Sequence, residues 1–223
     1  MLASEQKVYR HYTGFSLAEV LVTLVIVGII AALVIPSIVY NTKDMELRNK
    51  WKKVYSDVSR ATMLLKTLNG DIDFSSDTSF LTDYSKVMSF MKEGNFADFG
   101  GSYYRYYKNF SVGTSGIDGP AAVLNDGVVM LFKGIGGVDN SCSTQIGDLK
   151  NICAYSYIDV NGSQKPNMYG KDLFFIWIVK ENNAFNTYAA GSHGDNYSCS
   201  ENSSDGTTSA GCSAYFLYHE TGI

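Results

Sequence analysis

Gly14-Phe15-Ser16-Leu17-Ala18-Glu19-Val20-Leu21-Val22-Thr23-Leu24-Val25-Ile26 opens an apolar run that continues through Pro36 to Val39. From Phe15 to Val39 the only charge is Glu19. About 20 apolar residues at 1.5 Å rise cross the roughly 30 Å hydrocarbon core of a bilayer, so the run reads as a membrane helix. A carboxylate in such a window costs about 2.5–3.5 kcal/mol on insertion scales, which implies a function and a partner for Glu19. The order of parts is wrong for a secretory signal, whose cleavage site follows its apolar region. Here a polar leader, Met1–Gly14, comes first, and no A-x-A site in a polar context follows. A cut at Gly14 would keep the helix and remove only the leader.

This stretch resembles the class III signal of the type IV pilin superfamily, which includes the pseudopilins of type II secretion. The glycine, the aromatic residue, the glutamate, the uninterrupted apolar run and the proline all fall in register. The resemblance implies a cut between Gly14 and Phe15 by a membrane prepilin peptidase and N-methylation of Phe15. It implies that Glu19 meets the methylated N-terminal ammonium of a neighbouring subunit, and that the helix loosens between Gly28 and Pro36 when subunits pack. Proline inside a helix removes a hydrogen bond and clashes with the preceding turn, so a kink is expected at Pro36. The leader, 14 residues long, is on the long side for the main pilin class.

A chain of 223 residues with a formal charge of −4 accommodates one domain plus an extension. Without the leader, which carries Glu5, Lys7 and Arg10, the charge becomes −5. That balance does not favour nucleic acid as a partner, which needs a basic footprint. Lys7 and Arg10 just before the span favour an N-terminus on the cytoplasmic side. The expected location is the inner membrane, with the head beyond Val39 on the periplasmic or extracytoplasmic side. Cys142, Cys153, Cys199 and Cys212 all lie in that exported part. An even number in an oxidising compartment reads as two disulfides, and of three pairings we favour the local one, Cys142–Cys153 with Cys199–Cys212. Zinc held by cysteines with His193 or His219 is the rival reading, and no C-x-x-C pair supports it.

Beyond the span, Trp51, Val54, Val58, Ala61, Leu65 and Leu68 recur at helical spacing, predicting an amphipathic helix over Tyr40–Asn69 that Asn69-Gly70 stops. With the membrane segment it makes one helix of roughly 80 Å at 1.5 Å per residue. Residues 70–120 read as a variable connection with helical character at Asp83–Lys92, and the dense run Tyr103–Tyr107 is assigned to no element. Strands are predicted at Ala121–Leu124 and Val128–Phe132 around the hairpin signal Asn125-Asp126-Gly127, and at Ile152–Val160 and Leu173–Val179. The Gly/Ser/Asn-rich residues 180–223 read as an ordered surface loop stapled by the second cysteine pair. The fold class is α+β: a helix packed on an antiparallel sheet. The resemblance implies the same, as a pilin-like fold with the apolar half of the helix protruding.

In the connection Asp159–Asp172, the residues Asp159, Asn161 and Asp172 suit calcium, which takes six to eight oxygen ligands. The major pseudopilins resemble this in holding calcium in a C-terminal loop. The EF-hand pattern is absent, and turn chemistry alone also explains these residue types. No other cofactor is expected. Ser192, His193 and Asp195 are adjacent in a polar loop and lack the order of a triad, and no G-x-S-x-G elbow exists, so no enzyme is expected. The resemblance therefore points to a structural subunit of a type II secretion pseudopilus or a type IV pilus. Its partners would be the prepilin peptidase, other pilin subunits, the inner-membrane assembly platform and the lipid bilayer. The alternative is a minor pilin of a DNA-uptake or adhesion pilus.

Overall fold

The computed structural model describes residues 14–100, 104–106, 109–113, 117–136, 140–162, 164–200 and 209–219. The leader up to Thr13, together with Tyr103, Tyr107, Ser163 and residues 201–208, lies outside the described residues. The chain divides into two compact units, Met1–Lys43 and Asp44–Ile223. One helix, α1 (Leu17–Asn69), runs through both and stays helical through Pro36.

Among the described residues of the first unit the helix has no buried side chain. Leu24, Leu33 and Ile35 are all more than half exposed, as are most of their apolar neighbours. A helix apolar all round needs either a protein core or lipid around it. In the second unit the helix has one buried stripe, Trp51, Val54, Val58, Ala61 and Leu65, while Leu68, expected on the same face, is exposed. Gly70 follows with φ +77°, the left-handed C-terminal cap that glycine takes at little steric cost.

That stripe packs on one face of an antiparallel sheet. The sheet holds β1 (Phe90–Asn95), β4 (Pro120–Leu124), β5 (Val129–Leu131), β8 (Leu149–Asp159), β9 (Leu173–Glu181) and β10 (Ala184–Ala189), hydrogen-bonded in that order. Two short strands, β6 (Lys133–Gly134) and β7 (Thr144–Ile146), also pair with β8. A separate hairpin joins β2 (Tyr104–Tyr106) to β3 (Asn109–Gly113). The strand β9 shows why the sheet sits in the middle. Alternate residues point to opposite faces, so Phe174, Ile176 and Ile178 join the helix-side core while Leu173, Phe175, Trp177 and Val179 join a second core. Residues outside the sheet such as Tyr169, Ala190 and Ala210 belong to that second core.

Two sequence expectations need correction. The helix expected at Asp83–Lys92 is α2 (Asp77–Ser85), and Phe90–Asn95 is a strand. Ser76 caps α2 by accepting the Ser79 N–H, which sets its start, and Phe80, Leu81 and Tyr84 bury its inner face. Residues 180–223 are not loop throughout. The pair Asn182-Asn183, both at positive φ, turns β9 into β10. A short helix, α3 (Cys212–Tyr218), follows nearer the C-terminus. The dense tyrosine run contributes Tyr104–Tyr106 as strand β2.

Trp51 ties these layers together. Its ring stacks on Phe174 with centroids 4.5 Å apart and planes 7° from parallel. Its Nε1–H donates to the Ser213 carbonyl on α3 at 3.0 Å. Trp51→Ala is expected to cost about 3–5 kcal/mol through the cavity it leaves and the orphaned carbonyl. Denaturant unfolding of the chain checks this: the midpoint falls while the slope stays constant.

Candidate functional site: the helix start and the head loops

Gly14, Phe15 and Ser16 precede the helix in non-helical backbone, and α1 begins at Leu17. The peptide between Gly14 and Phe15 is exposed, and the Phe15 ring is 86% exposed. A Cβ added at Gly14 would meet nothing within 4 Å. The glycine is therefore not required by packing.

Glu19 sits in the first turn of α1. The Ser16 N–H donates to Glu19 Oε2 at 2.8 Å, and the Ser16 hydroxyl donates to the same oxygen at 2.9 Å. In return the Glu19 N–H donates to Ser16 Oγ at 3.3 Å. This is a reciprocal capping box, in which each side chain satisfies the other's backbone N–H. The carboxylate also lies at the positive end of the helix dipole. Ser16 was missed as a site residue, although its signal was legible: Ser16-Leu17-Ala18-Glu19 has the S-x-x-E spacing of such a box.

The cysteines form Cys142–Cys153 and Cys199–Cys212, and no described cysteine is free. Thiolates committed to disulfides are not available to zinc, which removes the rival reading. Each closed loop is worth roughly 3 kcal/mol in the chain-entropy model. The second bridge ends at the first residue of α3, next to Ser213, so it holds the segment that receives the Trp51 indole.

Asp159 and Asp172 come together at the mouth of the β8–β9 connection, and both are buried. Asp172 accepts from the backbone N–H of Met168 and of Asn167, at 2.5 and 2.8 Å, and from the Asn161 side-chain amide at 3.1 Å. Asp159 accepts from the Asn161 N–H at 3.1 Å. Burial first, and then the charge of Asp172, pushes the Asp159 carboxyl well above the usual carboxylate range. Burial also raises Asp172, against the pull of its N–H donors. The Oδ1 atoms of Asn161 and Asn167 are buried without a hydrogen-bond partner. Asn167 was not anticipated, because nothing in its spacing separates it from an ordinary turn residue. Among the described residues no third His, Cys, Asp or Glu joins the pair.

The adjacent Ser192, His193 and Asp195 do not converge. The Ser192 hydroxyl donates to the Ala189 carbonyl at 2.6 Å, and His193 lies against the Tyr188 ring with centroids 3.9 Å apart. Asp195 is buried and takes the Trp177 indole N–H at 2.8 Å along with the N–H groups of Gly191 and Tyr197. Its work is to hold a loop on the outer core.

Residues 9–35 match the family model of the prokaryotic N-terminal methylation motif. No curated protein matches the chain, and no solved structure matches it. With Gly14–Phe15 exposed ahead of a bare apolar helix, and an antiparallel sheet packed on that helix's second half, the chain carries the prepilin-type signal of type IV pilins and pseudopilins on an α+β, pilin-like fold.

Proposed function

We propose that this chain is a structural subunit of a type II secretion pseudopilus or a type IV pilus. It is cut after Gly14 by prepilin peptidase, N-methylated at Phe15, and held in the inner membrane by residues 15–39. Its N-terminus faces the cytoplasm, its head lies outside, and from there it is built into a helical filament. The observation that carries this reading is the pairing of the methylation motif with a helix whose apolar window is 0% buried. Such a window needs lipid or other copies of the helix to cover it. A filament provides the second environment, and Glu19 then requires a cation inside it. Assembly supplies that cation as the methylated ammonium of a neighbouring Phe15.

The test is expression of the full chain with its peptidase and assembly platform, followed by shearing and purification of filaments. The reading expects the processed chain as a repeating subunit of those filaments. Processed chain that stays in the membrane and never enters a filament would refute it.

We propose further that the loop between β8 and β9 binds calcium. The carboxylates of Asp159 and Asp172 and the Oδ1 atoms of Asn161 and Asn167 would hold it, with backbone oxygens completing the shell. Two buried acids facing one another and two orphaned amide oxygens fit a hard cation better than they fit each other. The bound ion would neutralise the acid pair and fix the long connection. At calcium 100-fold above its Kd, linkage adds about 2.7 kcal/mol, which for a head of this size raises Tm by roughly 5–10 °C. Scanning calorimetry with calcium and with chelator measures it. Asp172→Asn should abolish the calcium-dependent rise, and identical melts of the unaltered chain in both buffers would contradict the site.

A further inference from the structure

The Ser16–Glu19 box divides the carboxylate into two halves. Both Ser16 donors converge on Oε2, and no described residue donates to Oε1. All four groups of the box, Ser16 N–H, Ser16 Oγ, Glu19 N–H and Glu19 Oε2, lie after the Gly14–Phe15 bond. Cleavage therefore leaves the box intact while it creates an ammonium one residue away from it.

Resting on the reading of this chain as an assembling subunit, we infer that Ser16 is a positioning residue for assembly. It clamps Oε2 of its own Glu19, so that Oε1 faces outward toward the ammonium of a second copy. A glutamate side chain has three rotatable bonds, and fixing such a chain costs conformational entropy. The box incurs that cost before the subunits meet, which is the general advantage of preorganisation. It also means that assembly does not have to strip Glu19 of its existing hydrogen bonds. The carboxylate keeps its cap and gains a charge partner, so the same side chain serves the unassembled and the assembled states.

The inference separates the hydroxyl of Ser16 from the charge of Glu19. Threonine keeps the hydroxyl, while valine has nearly the shape of threonine without it. The experiment compares Ser16→Thr, Ser16→Val and the unaltered chain, all full length and expressed with peptidase and assembly platform. Filament yield is measured per processed subunit, so that any change in cleavage does not enter. Ser16→Thr should assemble within about twofold of the unaltered chain. Ser16→Val should fall by about tenfold, the equivalent of roughly 1.4 kcal/mol. Equal yields from Ser16→Val and Ser16→Thr would overturn the inference, whether both are high or both are low. Glu19→Gln reports on the underlying reading. If Glu19→Gln fails to assemble while Ser16→Val assembles normally, only the role of Ser16 falls. If the unaltered chain is never cut after Gly14 or never enters filaments, both fall together.

Discussion

Gly14→Phe leaves the chain at its full length, with the leader still attached and no 209-residue form detectable on a gel. The size follows from removing 14 residues from 223. Gly14 takes no part in packing. It precedes the helix, is exposed, and has open space where a Cβ would go. A bulky side chain there is accommodated by the fold, so the head remains folded and both disulfides can still form. What changes is access to the scissile peptide, where the peptidase must close around the backbone and a side chain would stand in the way. The effect is therefore all or none on processing and near zero on stability. The two are separated by running the gel beside a thermal melt of the same preparation. A mature-sized band from Gly14→Phe would show that recognition lies elsewhere.

Glu19→Gln is expected to be processed at Gly14 and yet to produce at least about a hundredfold less filament. Glutamine is the informative substitution because it still accepts the Ser16 hydrogen bonds, as the S/T-x-x-E/Q pattern of the capping box allows. The helix start is preserved and only the charge is lost. In an apolar bundle, removing one partner of an ion pair leaves the other uncompensated, at a cost of about 3–5 kcal/mol. Since every 1.4 kcal/mol is a factor of ten, the lower end already gives the stated loss. Glu19→Ala should fail at least as badly, because it also removes the acceptor of the Ser16 N–H and hydroxyl. Electron microscopy and quantitative blotting of the sheared fraction, with the mature band as control, read the outcome. Abundant filament from Glu19→Gln would mean that the carboxylate serves something other than subunit pairing.

The parts of this structure that were legible beforehand are those governed by local periodicity. Trp51, Val54, Val58, Ala61 and Leu65 are buried together because helical spacing places them on one face. The hairpin at Asn125-Asp126-Gly127 was readable because Gly127 occupies φ +82°, which glycine takes at no steric cost. The reading went astray where tertiary partners decide. Phe90 and Lys92 seemed helical, but they pair with Leu124 and Val123 across an edge of the sheet. β10 was hidden by composition, since Asn-rich flanks read as loop. Yet Phe185, Thr187 and Ala189 alternate inward, and Asn182-Asn183 supplies a hairpin turn that could have been recognised. The second core could not be seen at all, because it depends on loops folding back over Phe175 and Trp177.

The candidate site divides along the same line. The cleavage motif and Glu19 stand in a fixed linear register, so they are readable one residue after another. The acid pair is not local in this sense. Asp159 ends β8 and Asp172 immediately precedes β9, and only the pairing of those strands brings them together. Asn167 joins them because its backbone N–H is bound to Asp172, a contact with no counterpart in the spacing of the residues.

The central claim is that a single peptide bond converts this chain from an anchored precursor into an assembling subunit. Mass spectrometry of the protein extracted from membranes that contain the prepilin peptidase tests it most directly. The account predicts an N-terminal peptide beginning at N-methylated Phe15, with nothing upstream of Gly14–Phe15 retained. A chain that still begins at Met1, or one cut after the apolar run so that Glu19 is lost, would contradict it.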